Sequence, residues 1–186
     1  DLRTVLDKDC ELNILTARDE KGLAALRHTA SHVMAEAVQN LYPNAKVAIG
    51  PSIDTGFYYD FECQSFTRDD LDAIEKEMKK IIKKGAKIER FTKSREEAIA
   101  FFKEKNEPYK VELIEDLPED AEISFYSQGD WVDLCAGPHL MSTKGVKAFK
   151  LLSSSGAYWR GDEKKPMLTR IYGTAYATKD ELKEHL

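Results

Sequence analysis

Nothing in this sequence is abundant enough to act as a framework: 186 residues contain 3 cysteines, 6 prolines and 4 histidines, with no repeat and no low-complexity tract. The cysteines, Cys10, Cys63 and Cys135, are odd in number and form no CxxC pair, which argues against a disulfide scaffold and fits a reducing, cytoplasmic setting. Cys10 and Cys63 are expected to be inert. No apolar run approaches the roughly 20 residues of a membrane-spanning helix, and the first residues lack the basic start and apolar centre of a secretory signal, so no membrane partner is expected. Positive charge is not in excess either. At a net charge of −5 the chain does not hold nucleic acid by bulk electrostatics, so any RNA contact is expected to be local. The start at Asp1 and the helical opening at Lys179–Leu186 read as a fragment of a longer protein.

What is present begins with a helix. Between Leu23 and Leu41, the residues Leu26, Ala30, Val33, Met34, Ala37 and Leu41 recur at three- and four-residue spacing, the stripe of a core-facing helix. His28 and His32 lie outside that stripe. At about 100° per residue they share the opposite face with Ala24, Ser31, Ala35 and Gln39, one turn apart. Small side chains beside two imidazoles predict something lying close against the helix. The plainer reading is two solvated surface histidines, because HxxxH alone is a weak metal signal.

A second cluster lies at Trp131–His139. Strand alternation puts Trp131, Asp133 and Cys135 on one face, and the turn at Gly137-Pro138 brings His139 back towards them. His28, His32, Cys135 and His139 together make a nitrogen and sulfur set able to complete a tetrahedral zinc site, with the acid Asp133 beside the cysteine.

Elsewhere, strands are predicted at Val47–Ile49, Phe57–Phe61, Lys87–Thr92, Lys110–Ile114, Ile123–Tyr126, Trp131–Cys135, Val146–Leu152 and Met167–Ala177. Tyr59 on the aromatic strand reads first as core and second as a pocket tyrosine able to stack on a base. Lys110 at a strand start is a surface lysine unless that strand neighbours the histidines. There its charge could stabilise an oxyanion or orient a water. Thr67–Lys84 is a clear amphipathic helix with Leu71, Ile74, Met78, Ile81 and Ile82 as its stripe, Thr67 and Asp70 as a capping box, and Gly85 as its stop. Its late lysines read as a solvated face matched to the helix dipole. Ser94 and Glu97 cap a shorter helix. Gly156–Asp162 reads as a loop in which Tyr158, Trp159 and Arg160 either stack and contact phosphate or form a structural corner.

On six ordered blocks the chain closely resembles the editing region of bacterial threonyl-tRNA synthetases: His28-Thr29-Ala30-Ser31-His32, Ile49-Gly50-Pro51, Gly56–Asp60, Asp133–His139, Gly156–Asp162 and Arg170–Ala175. The histidine and cysteine pairs alone would also fit alanyl-tRNA editing proteins, and the tyrosine-rich strand with Tyr158-Trp159-Arg160-Gly161-Asp162 favours the threonyl branch. The resemblance implies domain limits: residues 1–20 as the tail of a ubiquitin-like TGS domain with a linker, 21–178 as the editing domain, and 179–186 as the start of a helix leading to a catalytic domain. It also implies an α+β fold, a largely antiparallel sheet packed with helices, with the pocket between the HxxxH helix and the sheet.

The implied activity is hydrolysis of the ester in seryl-tRNA made by mistake on threonine tRNA. Serine lacks one methyl of threonine, and a methyl is worth only about 1–3 kcal/mol of discrimination, so a second sieve is needed. Carried over by position, His28, His32, Lys110, Asp133, Cys135 and His139 form the catalytic pocket. Lys110 and His28 would position the water, Asp133 would hold the serine amine or hydroxyl, and Gly50 and Tyr59 would seat the terminal adenosine. No cofactor is required for editing on this resemblance, while ligand chemistry keeps zinc open at His28, His32, Cys135 and His139. The implied partners are the acceptor end of threonine tRNA, covalently attached catalytic and anticodon-binding domains, and a second copy in a full-length homodimer. Ala136 replaces a basic residue common in the family, which weakens an RNA contact there. Lacking an ATP-binding core, the fragment is not expected to aminoacylate. The competing reading is a non-catalytic module gripping the tRNA acceptor end around a structural zinc.

Overall fold

A computed structural model describes all 186 residues. Residues 1–19 precede the first helix without helix or strand. The long helix α1 (Glu20–Leu41) is buried on nearly every side from Leu26 to Val38, which explains why its apolar stripe is only half its story. One side packs Ala30, Val33, Met34 and Ala37 into the main core, and the other side places His32 and Ser31 against polar neighbours.

The sheet under α1 is antiparallel. Its strands β1 (Lys46–Val47), β2 (Ser52–Ile53), β3 (Gly56–Glu62), β7 (Ala148–Tyr158) and β8 (Met167–Tyr176) are arranged with β1 and β2 on one edge of β3, then β8, then β7. Register pairs Phe57 with Gly173 and Tyr59 with Ile171. Alternation therefore sends Phe57, Tyr59 and Phe61 into the core beneath α1, where each large side chain contributes about 1.5–3 kcal/mol by leaving water. Helix α2 (Arg68–Lys84) lies alongside α1 and buries Leu71, Ile74, Met78 and Ile81 in the same cluster. Its ends follow the sequence closely. Thr67 and Asp70 exchange both capping-box hydrogen bonds, and Gly85 closes the helix at φ 64°.

A smaller antiparallel sheet, β4 (Ile88–Thr92), β5 (Ser124–Gln128) and β6 (Trp131–Leu134), packs with α3 (Arg95–Glu104) and α4 (Pro108–Glu115) around Phe102, Ile114 and Phe125. Gln128 donates to Glu36 and Trp131 to Gln39, fastening this sheet to α1. The chain ends in α5 (Lys179–His185). The architecture is α+β with largely antiparallel sheets against helices, as the sequence predicts.

Two elements depart from expectation. Lys110–Ile114 is not a strand but part of α4, started by Pro108 at a first-turn position where its missing N–H costs nothing. Strand β7 runs six residues past the predicted Leu152, so Gly156, Ala157 and Tyr158 are strand rather than loop. Only Trp159–Gly161 forms a tight turn. Trp159 is buried with Tyr109 and Leu168, its indole donates to Glu112, and Arg160 pairs with Asp116 and Glu112. The structural-corner reading of that segment therefore holds.

Candidate functional site

Helical periodicity brings His28 and His32 to one side of α1, with ring centroids 5.1 Å apart. Strand β6 presents Asp133 towards them, and Cys135 follows its end. The chain then reverses at Gly137, which stands at φ 75° and where a Cβ would lie 2.2 Å from the Tyr126 hydroxyl. The reversal returns His139 to the cluster. Cys135 Sγ lies 3.3 Å from His28 Nε2 and 3.2 Å from His139 Nε2, and one potential ligand atom from each of His28, His32, Cys135 and His139 lies within 4.8 Å of the others.

Beside this set is a buried charge pair. Helix α4 delivers Lys110, whose Nζ lies 2.7 Å from Asp133 Oδ1 and donates to the Tyr59 hydroxyl at 3.0 Å. That hydroxyl donates to Asp133 Oδ2 at 2.7 Å, and His32 Nε2 lies 3.3 Å from the same oxygen. Lys110 and Asp133 are each 2% exposed and Tyr59 is fully buried. The Lys110 contact to Oδ1 is close enough for an ion pair but falls outside hydrogen-bond geometry. Oδ1 is thus the one buried side-chain polar atom in the protein without a hydrogen bond.

Burial sets the proton states of the rest. It lowers His28 against the pull of Asp133, and it holds His32 and His139 well below the usual imidazole range, helped for His32 by His28 and Lys110 and for His139 by His32 and His28. Burial beside Asp133 pushes the Cys135 thiol up to about 12. The His32–Asp133 approach is therefore a neutral ring against a carboxylate. At neutral pH the cluster offers uncharged imidazoles and a protonated thiol beside the Lys110–Asp133 ion pair.

Thr29 and Arg3 complete the support, and sequence reasoning missed both. The Thr29 hydroxyl donates to the Ala25 carbonyl, so it accepts from the Leu140 N–H and from His139 Nδ1–H, each at 3.0 Å. His139 then presents a bare Nε2 to Cys135. The Arg3 guanidinium donates to the carbonyls of His139 and Leu140, an anchoring that no local pattern in the sequence signals.

Gly50 sits behind Tyr59. A Cβ there would fall 1.9 Å from the tyrosine ring, so Gly50→Ala is expected to displace the ring that carries the hydroxyl between Lys110 and Asp133. Overpacking of this kind costs about 1–3 kcal/mol, read as a lower urea midpoint at unchanged slope. With its ring enclosed, Tyr59 acts through Lys110 and Asp133 and has no face open for base stacking.

The opening to the cluster is a cavity of about 250 Å³ between Ala24, His28, Ser52 and Pro138, with Lys21 at its rim. His28 is the histidine of the set that reaches it. A larger cleft of about 630 Å³, near Trp131 and Glu107, shares none of these groups, and chemistry rather than volume locates the site.

The family described as "Threonyl and Alanyl tRNA synthetase second additional domain" matches residues 123–172, which carry Asp133, Cys135 and His139. The threonine–tRNA ligase of Clostridium novyi (strain NT) is 62% identical over 187 aligned positions, covering 100% of this chain and 29% of that protein. The threonine–tRNA ligase of Clostridium botulinum (strain Langeland / NCTC 10281 / Type F) is 64% identical, again over 100% of this chain and 29% of its own length. The chain thus spans less than a third of the curated relatives it matches.

Proposed function

We propose, from a whole-chain match to bacterial threonine–tRNA ligases that fits their editing region, that this protein hydrolyses the ester of seryl-tRNA mischarged on threonine tRNA. The observation that carries the reading is the Lys110–Asp133–Tyr59 triad, buried against a cluster of neutral histidines that opens to solvent at His28. A structural knot alone gives no reason to bury that charge pair beside it.

The reaction needs an activated water, a stabilised oxyanion and a proton for the leaving oxygen. Neutral His28 takes a proton as the water oxygen bonds to the ester carbonyl carbon. Lys110, positioning the water with His28, carries the charge that offsets the developing oxyanion. When the carbon–oxygen bond to the terminal ribose breaks, the imidazolium returns its proton to the ribose oxygen, giving serine and free tRNA. Asp133, ion-paired to Lys110 through Oδ1, would hold the serine ammonium or hydroxyl. Gly50 and the enclosed Tyr59 would serve the site by holding Lys110 and Asp133 through the tyrosine hydroxyl rather than by seating the terminal adenosine. Residues 21–178 are the editing unit in this reading, following the tail of a TGS-type domain, and the partner is the tRNA acceptor end. Aminoacylation, further domains, a homodimer and a cytoplasmic setting belong to the longer ligase.

Zinc fits His28, His32, Cys135 and His139 by donor type and by their mutual distances, and when bound it would supply a fixed positive charge there. A closed four-ligand site has no open position for water, which would favour a non-catalytic acceptor-end module. Against that reading, a dication would face Lys110, whose charge already lowers His28 and His32. The direct experiment is single-turnover hydrolysis of seryl-tRNA by the 186-residue chain with and without a zinc chelator. Hydrolysis indifferent to chelator is expected. No hydrolysis, together with stoichiometric zinc and retained tRNA binding, would move the assignment to the binding module.

A further inference from the structure

Thr29 follows His28 in α1 and is fully buried, and its hydroxyl has three polar neighbours. A hydroxyl brings one hydrogen and accepts on its lone pairs, so three neighbours leave one way to place the hydrogens. The Ala25 carbonyl, one turn back, lies 2.9 Å from Oγ1 and carries no hydrogen, so the hydroxyl donates there. The Leu140 N–H can only donate. His139 Nδ1, at 3.0 Å, must then bring its own hydrogen, and a neutral ring with hydrogen on Nδ1 has none on Nε2.

His139 hands this direction on to Cys135. Its bare Nε2 lies 3.2 Å from Cys135 Sγ, and the thiol supplies the hydrogen that the contact needs. The Gly137 N–H donates to the same sulfur. With its single hydrogen turned to His139, the sulfur can only accept from His28 Nε2, 3.3 Å away. His28 therefore carries its hydrogen on Nε2 and leaves Nδ1 bare. The hydrogen bonds run one way, from His28 through Cys135, His139 and Thr29 to the Ala25 carbonyl, each polarising the next. Were the run reversed, His139 would donate to the sulfur, the thiol would donate to His28 Nε2, and His28 Nδ1 would hold the ring's hydrogen.

We propose that Thr29 is a positioning residue which, by fixing the direction of the hydrogen bonds through His139 and Cys135, makes Nδ1 of His28 the nitrogen that receives the proton of the attacking water. That proton goes to Nδ1 as the water oxygen bonds to the ester carbonyl carbon, and it leaves with the ribose oxygen when the carbon–oxygen bond breaks. The Cys135 thiol keeps its hydrogen throughout and acts as a spacer, not a nucleophile. The use of Nδ1 in hydrolysis rests on the function proposed above, whereas the bond directions rest on the geometry alone.

The first measurement needs no variant. Long-range nitrogen–proton NMR correlation on the 186-residue chain, labelled in histidine and freed of metal by a chelator, reads which ring nitrogen carries hydrogen. His28 should be protonated at Nε2 and bare at Nδ1, and His139 the reverse. Hydrogen on Nδ1 of His28, or on Nε2 of His139, would overturn the proposal whether or not any variant folds. Thr29→Val, which removes the acceptor of the His139 hydrogen, should switch both rings to the opposite form. The single-turnover rate of seryl-tRNA hydrolysis at saturating RNA should then fall about tenfold, as the base-ready form drops to about one tenth, with the half-saturating concentration within about twofold of the parent. Thr29→Ser keeps the hydroxyl and should restore the parent's ring forms and its rate to within about threefold. Ring forms unchanged in Thr29→Val, or a rate lost equally in Thr29→Ser, would reduce Thr29 to a packing residue and sink the proposal. The predicted ring forms without hydrolysis by the parent sink only the editing reading, and hydrolysis with the opposite ring forms sinks only the role of Thr29.

Discussion

Lys110→Met is expected to destabilise the protein by about 3–5 kcal/mol and to abolish seryl ester hydrolysis, because it leaves Asp133 as an unpaired charge in a buried site. Asp133→Asn should do comparable damage by stranding the Lys110 ammonium. Combining the two removes both charges while keeping an acceptor for the Tyr59 hydroxyl, so most of the lost stability should return. Hydrolysis should not return with it. Urea unfolding of the parent, both single variants and the double variant supplies the cycle. Single variants as stable as the parent would show that the pair is not the buried interaction its geometry indicates.

His28→Ala is expected to reduce hydrolysis by about 10²–10⁴-fold, the range for losing a general base, while the fold survives. His28 is half-buried at the cavity mouth, and its loss frees space next to solvent rather than inside the core. The unfolding midpoint should therefore move little. A structural zinc knot predicts the opposite pattern, in which one ligand lost costs metal and stability together. The same variant thus separates a catalytic histidine from a ligand.

Much of this was legible in the residues. The α1 stripe from Leu26 to Ala37, the α2 capping box with its Gly85 stop, and the reversal at Gly137 each depend on local chemistry, and the structure has them where the sequence puts them, whereas Leu41, the last residue of the predicted stripe, is 40% exposed. The meeting of His28, His32, Cys135 and His139 was legible because helical and strand periodicity leave few ways to aim these side chains. Lys110 was misassigned because Lys110–Ile114 alternates polar and apolar residues like a strand, over a helix of only eight residues. The stronger local cue was Pro108, whose fixed φ suits a first helical turn. Gly156–Tyr158 read as a loop, yet β7 lies at the sheet edge and is held by pairing with β8 rather than by side-chain burial. The roles of Thr29 and Arg3 were hidden for a different reason: each acts on His139 or its neighbour from more than a hundred residues away, and no periodicity encodes such a contact.

The central claim is a pocket that admits serine and rejects threonine, and its most direct test is the ratio of seryl- to threonyl-tRNA hydrolysis rates for the 186-residue chain. One excluded methyl predicts a ratio of about 10–200 in favour of serine. A ratio near one, or faster release of threonine, would contradict the account even if the chain proved to be an active esterase.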